Sequence, residues 1–255
     1  MRKLTLLLLF LPFFYGCASL DDLGETDETR KWSASKFFSE AKAAASLGDY
    51  DTAIKHYETL QARYPFGRYA KQAQLELAYA YYKYDEPDSA IAACDRFLKE
   101  NPRNPSVDYA YYLKGLVNFN RGIGFIDRFV PTDASQRDPG SARESFKDFS
   151  ILLSRFPNSK YAKDTRQRMV YLRNTLSQHE VNVADYYLKR KAYIATSNRA
   201  KEVIENFEKT PSAGDALAIM IESYNKMGLK KLSQDARRVL KLNHPDHPAL
   251  AAVGG

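Results

Sequence analysis

Cys17 is the residue of this chain whose setting points most directly to chemistry. Arg2 and Lys3 open the sequence, an apolar run follows from Leu4 to Phe14, and Gly16 immediately precedes the cysteine. At 11 residues the run is too short to cross a bilayer as a helix. A charged start, a short apolar stretch and Gly-Cys form the pattern of a cleaved bacterial lipoprotein signal. The thiol of Cys17 would accept a diacylglyceryl group, and the amine freed by cleavage would accept an acyl chain. Each buried methylene contributes about 0.8 kcal/mol, so three chains hold a protein firmly at a membrane. Phe14 and Tyr15 stand where Leu and a small residue are usual. An ordinary signal peptide or an uncleaved anchor is therefore the competing reading. Ala18 follows, where lipoproteins kept at the inner membrane usually carry Asp, and this fits sorting to the outer membrane.

Other chemistry finds no support. Gly122-Ile-Gly-Phe125 has no third glycine and no strand before it, so it is not a dinucleotide fingerprint. His244, Asp246 and His247 lie among prolines in a terminal tail, a poor frame for a metal. No close carboxylate pair, Ser–His arrangement or phosphate loop emerges. The expectation is a protein with no catalytic residue, no metal and no cofactor.

What remains is binding chemistry. Arg63, Tyr64, Phe66, Arg68 and Tyr69 fall within seven residues, and Tyr82 follows in the next aromatic run. Aromatics give contact area at little entropic cost, and arginine offers directed donors to a carboxylate. Tyr81 of the same run reads as repeat core. Asp185, Lys189, Asn198 and Arg199 gather near one predicted helix–turn–helix pair. Residues 120–140 form a loop rich in Gly, Pro and Asp that carries Phe125, Ile126, Phe129 and Val130. Apolar side chains in such a loop cover something, either their own repeat or a partner.

A repeat positions these residues. Ala53, Tyr57, Leu60 and Pro65 recur in register as Ala90, Cys94, Phe97 and Pro102, and again as Ser145, Phe149, Leu152 and Pro157. Pro65 and Pro102 are 37 residues apart. The third copy comes one period plus an 18-residue insert later. This period and pattern predict tetratricopeptide-type helix pairs. Each proline stands just past a second helix, where a missing N–H ends it. Gly48 suits the turn between the first two helices. Ala78 and Gly115 occupy one register and let neighbouring helices approach. Leu217, Met220, Ile221, Tyr224, Gly228 and Leu240 restore the pattern near the C-terminus. Before them, Ala200, Ile204 and Phe207 keep it, with Lys191 in place of Gly and the proline delayed to Pro211. The sequence thus predicts an all-α superhelix of about five helix-turn-helix units. Cys94 shares its register with Tyr57 and Phe149 and should be buried, and acylation of Cys17 would leave it no disulfide partner.

The expected organisation is a signal peptide over 1–16, a flexible tether over 17–33, and repeats one to three over 34–157 with the insert at 120–140. Repeats four and five follow over 158–245, then a disordered tail over 246–255. Residues 141–255 hold 20 Lys and Arg against 12 Asp and Glu, whereas 1–140 hold 18 against 19. The basic charges alternate with Tyr and Leu at helical spacing rather than forming a block. An acidic protein or anionic headgroups suit that surface better than nucleic acid, which is not expected as a partner.

Three segments carry a resemblance to a known family: RYPFGRYAKQAQLELAYAYYK at 63–83, RDPGSARESFKDFS at 137–150 and VADYYLKRKAYIATSNR at 183–199. With Cys17 and five repeats, the chain resembles the BamD family of β-barrel assembly lipoproteins over roughly 34–243. Lys191 departs from that family, where Gly is usual. The resemblance implies a non-enzymatic scaffold on the periplasmic face of the outer membrane, held there by its lipid. It implies four kinds of partner: the periplasmic domain of the barrel subunit BamA, the lipoproteins BamC and BamE, and unfolded barrel proteins with their C-terminal targeting strands. On this reading the Arg63–Tyr82 group binds client peptide and the residues around Asp185–Arg199 dock BamA. Phe125, Ile126 and Phe129 meet a sister lipoprotein. The alternative is a periplasmic repeat scaffold for peptidoglycan and envelope organisation, or for DNA uptake.

Overall fold

A computed structural model describes residues 27–121 and 133–251. Cys17 and the insert residues Phe125, Ile126 and Phe129 lie outside the described residues. Helices dominate the described chain and come in consecutive pairs: α1 (Ala34–Ser46) with α2 (Tyr50–Arg63), α3 (Arg68–Lys83) with α4 (Pro87–Glu100), and α5 (Val107–Arg121) with α6 (Gly140–Arg155). The fourth pair joins α7 (Ala162–Lys189) to α8 (Tyr193–Asn206), and the fifth joins α9 (Ala213–Lys226) to α10 (Lys230–Asn243). Five units, as the period predicts, form an all-α tetratricopeptide-type array.

The repeat positions are the core. Ala53, Tyr57, Leu60, Ala90, Cys94, Phe97, Phe149 and Leu152 are fully buried, as is Ser145. Cys94 is an interior side chain, and burial pushes its thiol pKa far above the ordinary value. Such a thiol carries almost no nucleophilic thiolate. Tyr81 differs from expectation. It is only half-buried, and its hydroxyl donates to Glu58 at 2.5 Å. Its ring packs on two core clusters while its oxygen reaches the surface.

Turn chemistry repeats with the same period. Gly48, Asp85, Lys191 and Gly228 each close the turn inside a helix pair with φ of +81°, +65°, +60° and +72°. Each of those turns requires a left-handed residue, so the fourth pair keeps its shape with a lysine where glycine is cheaper. Lys191→Gly should therefore raise stability by about 0.5–1 kcal/mol, because a side chain in this region is sterically penalised. A matched pair of denaturant melts would check it, and an unchanged or lowered midpoint would contradict it. At the other ends, Tyr64, Asn101, Phe156 and His244 leave the helical region with φ of −130°, −129°, −132° and −138°. Each precedes a proline, which disfavours helical backbone in the residue before it. Phe207 does the same at −134° without one.

Helices pack on their sequence neighbours, and the first helices of adjacent pairs also touch: α1 on α3, α3 on α5, and α7 on α9. The second helices make no packing of that extent on each other. The array therefore curves toward the first-helix side, giving the concave surface such repeats offer to ligands. Gly115 marks the closest approach. A Cβ built there would collide with the Phe149 ring. The Ser145 hydroxyl donates to the Gly115 carbonyl at 2.8 Å across the same contact. The α7 helix, 28 residues long, is twice the length of α8. The turn Ala134–Gln136 packs against it: the His179 imidazole meets the Ser135 carbonyl at 2.8 Å, and the Asn182 amide donates to the Ser135 hydroxyl at 2.8 Å.

Candidate functional site

The Arg63–Tyr82 group does not converge on one point. Arg63 ends α2, lies over the Phe37 ring and donates to the Thr29 carbonyl at 3.0 Å. Tyr64 donates to the Trp32 carbonyl at 2.8 Å. These two side chains fasten the segment before α1 onto the first repeat. Phe66, by contrast, is 91% exposed. It borders a cleft of about 680 Å³ between α2 and α4, walled by Glu58, Gln74, Tyr81, Arg96 and Glu100. Tyr82 is partly buried and packs against the core around Cys94, and its hydroxyl accepts from the Asn120 amide at 2.6 Å.

Arg68 and Tyr69 belong to the other face. Arg68 lies over the Tyr69 ring and donates to its hydroxyl at 2.8 Å. Tyr69 is half-buried against Phe38, with ring centroids 5.5 Å apart. Arg68 lines a cleft of about 640 Å³ formed by the first helices α1, α3 and α5. Its walls bring together Phe38, Lys42, Lys71, Tyr109 and Tyr161, with Glu76 as the acidic member. Three cations beside partly buried aromatic rings on a concave surface fit an extended peptide that carries aromatics and a carboxylate. Lys42, Lys71 and Tyr109 were not singled out in the sequence. The visible signal was the spacing Arg68, Lys71, Gln72, Leu75, which places them along one helical face.

In the second half, Asp185 and Lys189 pair at 2.5 Å in the last turn of α7. Both are exposed enough to meet solvent, and the pair contributes little to stability. Asn198 and Arg199 sit together on α8, lining a smaller cleft with Tyr187, Ala195 and Glu202. Arg199 also reaches inward, where its guanidinium contacts Glu180 of α7 at 3.2 Å. Arg143 of α6 holds the other oxygen of that carboxylate at 2.5 Å. Glu180 is 1% exposed. Nothing in the sequence spacing distinguished Glu180, because its two partners lie 37 residues before and 19 residues after it.

A second charge cluster, with its Asp148 end buried and its Asp95 end open to solvent, lies under the third repeat. Lys114 contacts Asp95 at 2.7 Å and Asp148 at 3.4 Å. Burial raises the pKa of the Asp148 carboxyl above the ordinary carboxylate value, with Lys114 pulling it down. Burial works against the Lys114 charge too, but its carboxylate partners prevail and raise its pKa. Among the described residues no group of three or more metal-type ligands occurs. His247 faces Asp215 at 3.1 Å and closes the tail over α9. No described helix is long and apolar enough to cross a membrane.

An array of paired helices with this period defines a tetratricopeptide-type repeat protein. The family model described as "YfiO: Outer membrane lipoprotein" matches residues 30–240, and the chain belongs to that family. It is 46% identical to the outer membrane protein assembly factor BamD of Neisseria meningitidis serogroup A, over 87% of this chain and 83% of that one. It is 36% identical to the BamD of Vibrio cholerae, over 92% of this chain and 96% of that one. A tetratricopeptide-repeat protein of Thermus thermophilus of known structure aligns over 86% of this chain and 96% of its own. Its identity is 13% and its TM-score 0.38.

Proposed function

We propose that the chain is a non-enzymatic scaffold lipoprotein of the outer-membrane β-barrel assembly machinery. It binds the barrel assembly subunit and unfolded outer-membrane proteins on their way to folding and insertion. The observation that carries this reading is the 46% identity, spread over 87% of the chain, to a named assembly factor. The concave cleft of α1, α3 and α5 supports it, because its cations and aromatics suit an aromatic targeting strand that ends in a carboxylate. The anchor is Cys17, the location is the periplasmic face of the outer membrane, and the docking face for the BamA periplasmic domain lies around Asn198 and Arg199. BamC and BamE are the sister lipoproteins, with Phe125, Ile126 and Phe129 of the insert as the contact assigned to one of them.

Two measurements test the parts. Arg68→Glu with Lys71→Glu should weaken binding of a C-terminal barrel peptide at least roughly tenfold, since two reversed charges face the ligand carboxylate. Both side chains are exposed, so helicity should not change. Phe66→Ala, in the other cleft, should leave the peptide affinity within about twofold, the range of a neutral surface change. Equal losses in the two variants would refute the assignment to the concave cleft. For the anchor, mass spectrometry of the mature N-terminus should show an acylated Cys17. Cys17→Ser should abolish that modification, because the thiol is the acceptor. An unmodified Cys17 or an intact Met1 would rule the anchor out.

A further inference from the structure

The second helix of each earlier pair has a following repeat to pack on, and α10 does not. Seven residues before the residue that ends each second helix stand Tyr57, Cys94, Phe149, Ala200 and, in α10, Arg237. The first four are fully buried. Tyr57 shares a core cluster with Leu77 of α3, Cys94 one with Leu113 of α5, and Ala200 one with Met220 of α9. In α10 the same register carries an arginine, and no helix of that length follows among the described residues. An open end of a repeat array must be polar to stay soluble. This end is polar in a single sign. Lys230, Lys231, Arg237, Arg238 and Lys241 face one carboxylate, Asp235, on the same helix. Helical spacing gathers the five cations on one half of its circumference. Asp235 pairs with Arg238, and the other four cations have no ion pair among the described residues. Bordering the cations is an apolar edge that is also open: Leu232 is 45% exposed, Val239 40% and Leu242 81%.

From this arrangement we infer that the outer face of α10 rests on an anionic phospholipid surface and forms a second, reversible contact with the membrane. The inference rests on the reading that Cys17 anchors the chain at the outer membrane, and it adds a contact at the other end of the array. A basic helix with leucines along one edge has the pattern of helices that lie in a membrane interface. The charge type favours lipid over an acidic protein. Three of the five cations are lysines, which act as point charges, whereas a seat for one carboxylate calls for the directed fork of arginine. The Arg238 fork is already shared with Asp235. Cations spread over half a helix match a continuous sheet of phosphates, and their long stems let the charges reach headgroups while the leucines lie deeper.

A fluorophore on Gln234→Cys reports on this face, because Gln234 is exposed among the cations and Cys94 is buried. The full chain should be mixed with vesicles of phosphatidylcholine alone, or of phosphatidylcholine with phosphatidylglycerol, each containing a headgroup nitroxide quencher. Quenching should be clearly stronger with phosphatidylglycerol and should fade as salt is raised, since the attraction reaches no further than a Debye length. Lys230→Glu with Lys241→Glu should abolish that difference while leaving helicity unchanged, because both side chains are exposed. Equal quenching on the two lipids, or an undiminished difference in the variant, would overturn the inference. Protection of the label by the purified periplasmic domains of BamA, with no effect of lipid charge, would assign the face to a protein and overturn it equally. If the chain stays off phosphatidylcholine vesicles altogether, the anchor reading fails. Phosphatidylglycerol vesicles then judge the face alone. Binding by wild type that the variant weakens roughly tenfold or more supports it, since each reversed lysine turns an attraction into a repulsion. Binding by neither chain overturns it.

Discussion

Phe149→Ala should destabilise the chain by about 3–5 kcal/mol, the range for deleting a fully buried aromatic ring. The ring is completely buried and fills the space that the missing side chain of Gly115 leaves open. A cavity there has no easy way to collapse, because Ser145 already fixes the α5–α6 separation through its bond to the Gly115 carbonyl. Tyr81→Ala should cost distinctly less. Tyr81 is only half-buried, its oxygen lies at the surface, and part of its ring already lines the cleft between α2 and α4. Urea melts of the two variants would rank them. Equal losses would mean that Tyr81 is as much a core residue as Phe149.

Lys114→Met should cost about 3 kcal/mol at neutral pH, because removing one partner of a buried pair leaves an uncompensated charge. Lys114 is 16% exposed and Asp148 only 4%. Without the ammonium, buried Asp148 would keep no cation beside it and would face the half-exposed carboxylate of Asp95. The pH dependence follows from the direction of the Asp148 shift. Its pKa is raised in the folded chain. Its contribution to stability is therefore fully present below the ordinary carboxylate pKa and is lost as pH rises through the raised value. Losing Lys114 removes the group that pulls this pKa down, so Asp148 in the variant should protonate at still higher pH. The deficit of Lys114→Met should then be largest near neutrality and shrink toward about pH 4, the ordinary carboxylate range. A deficit independent of pH would mean that lost packing of the lysine stem, not charge, explains the effect.

The sequence was most legible where a residue's role depends on its own repeat. Ala53, Tyr57, Leu60 and their counterparts in the second and third units are buried because helix periodicity alone points them inward. The turn residues were legible too. Gly48 reads as a turn residue and Lys191 stands where glycine is usual, whereas Asp85, which takes the same left-handed conformation, was not singled out. Tyr81 reads as core from its register, and its ring does pack on the core, whereas its hydroxyl finds Glu58 of the preceding helix at the surface. The binding residues were harder. RYPFGRY reads as one cluster, but a helix start at Arg68 turns Phe66 and Arg68 toward different clefts. Arg63 and Tyr64 looked available, and both bond to the chain's own segment at Thr29 and Trp32. Glu180 was invisible because nothing local distinguishes a carboxylate that two distant arginines will cover. Arg199 looked like a freely exposed charge, and reversing it would also set a like charge against buried Glu180. Arg199→Lys is the cleaner probe of that face.

Copurification of the full chain from detergent-solubilised outer membranes tests the central claim most directly. The chain should be captured through a C-terminal tag from cells that make it at its natural level. The account predicts that BamA comes with the chain in roughly equal amount and survives washing in moderate salt. It also predicts that Arg68→Glu with Lys71→Glu leaves that association intact, because repeats far apart in the array act separately. A chain recovered from the outer membrane without BamA would contradict the account.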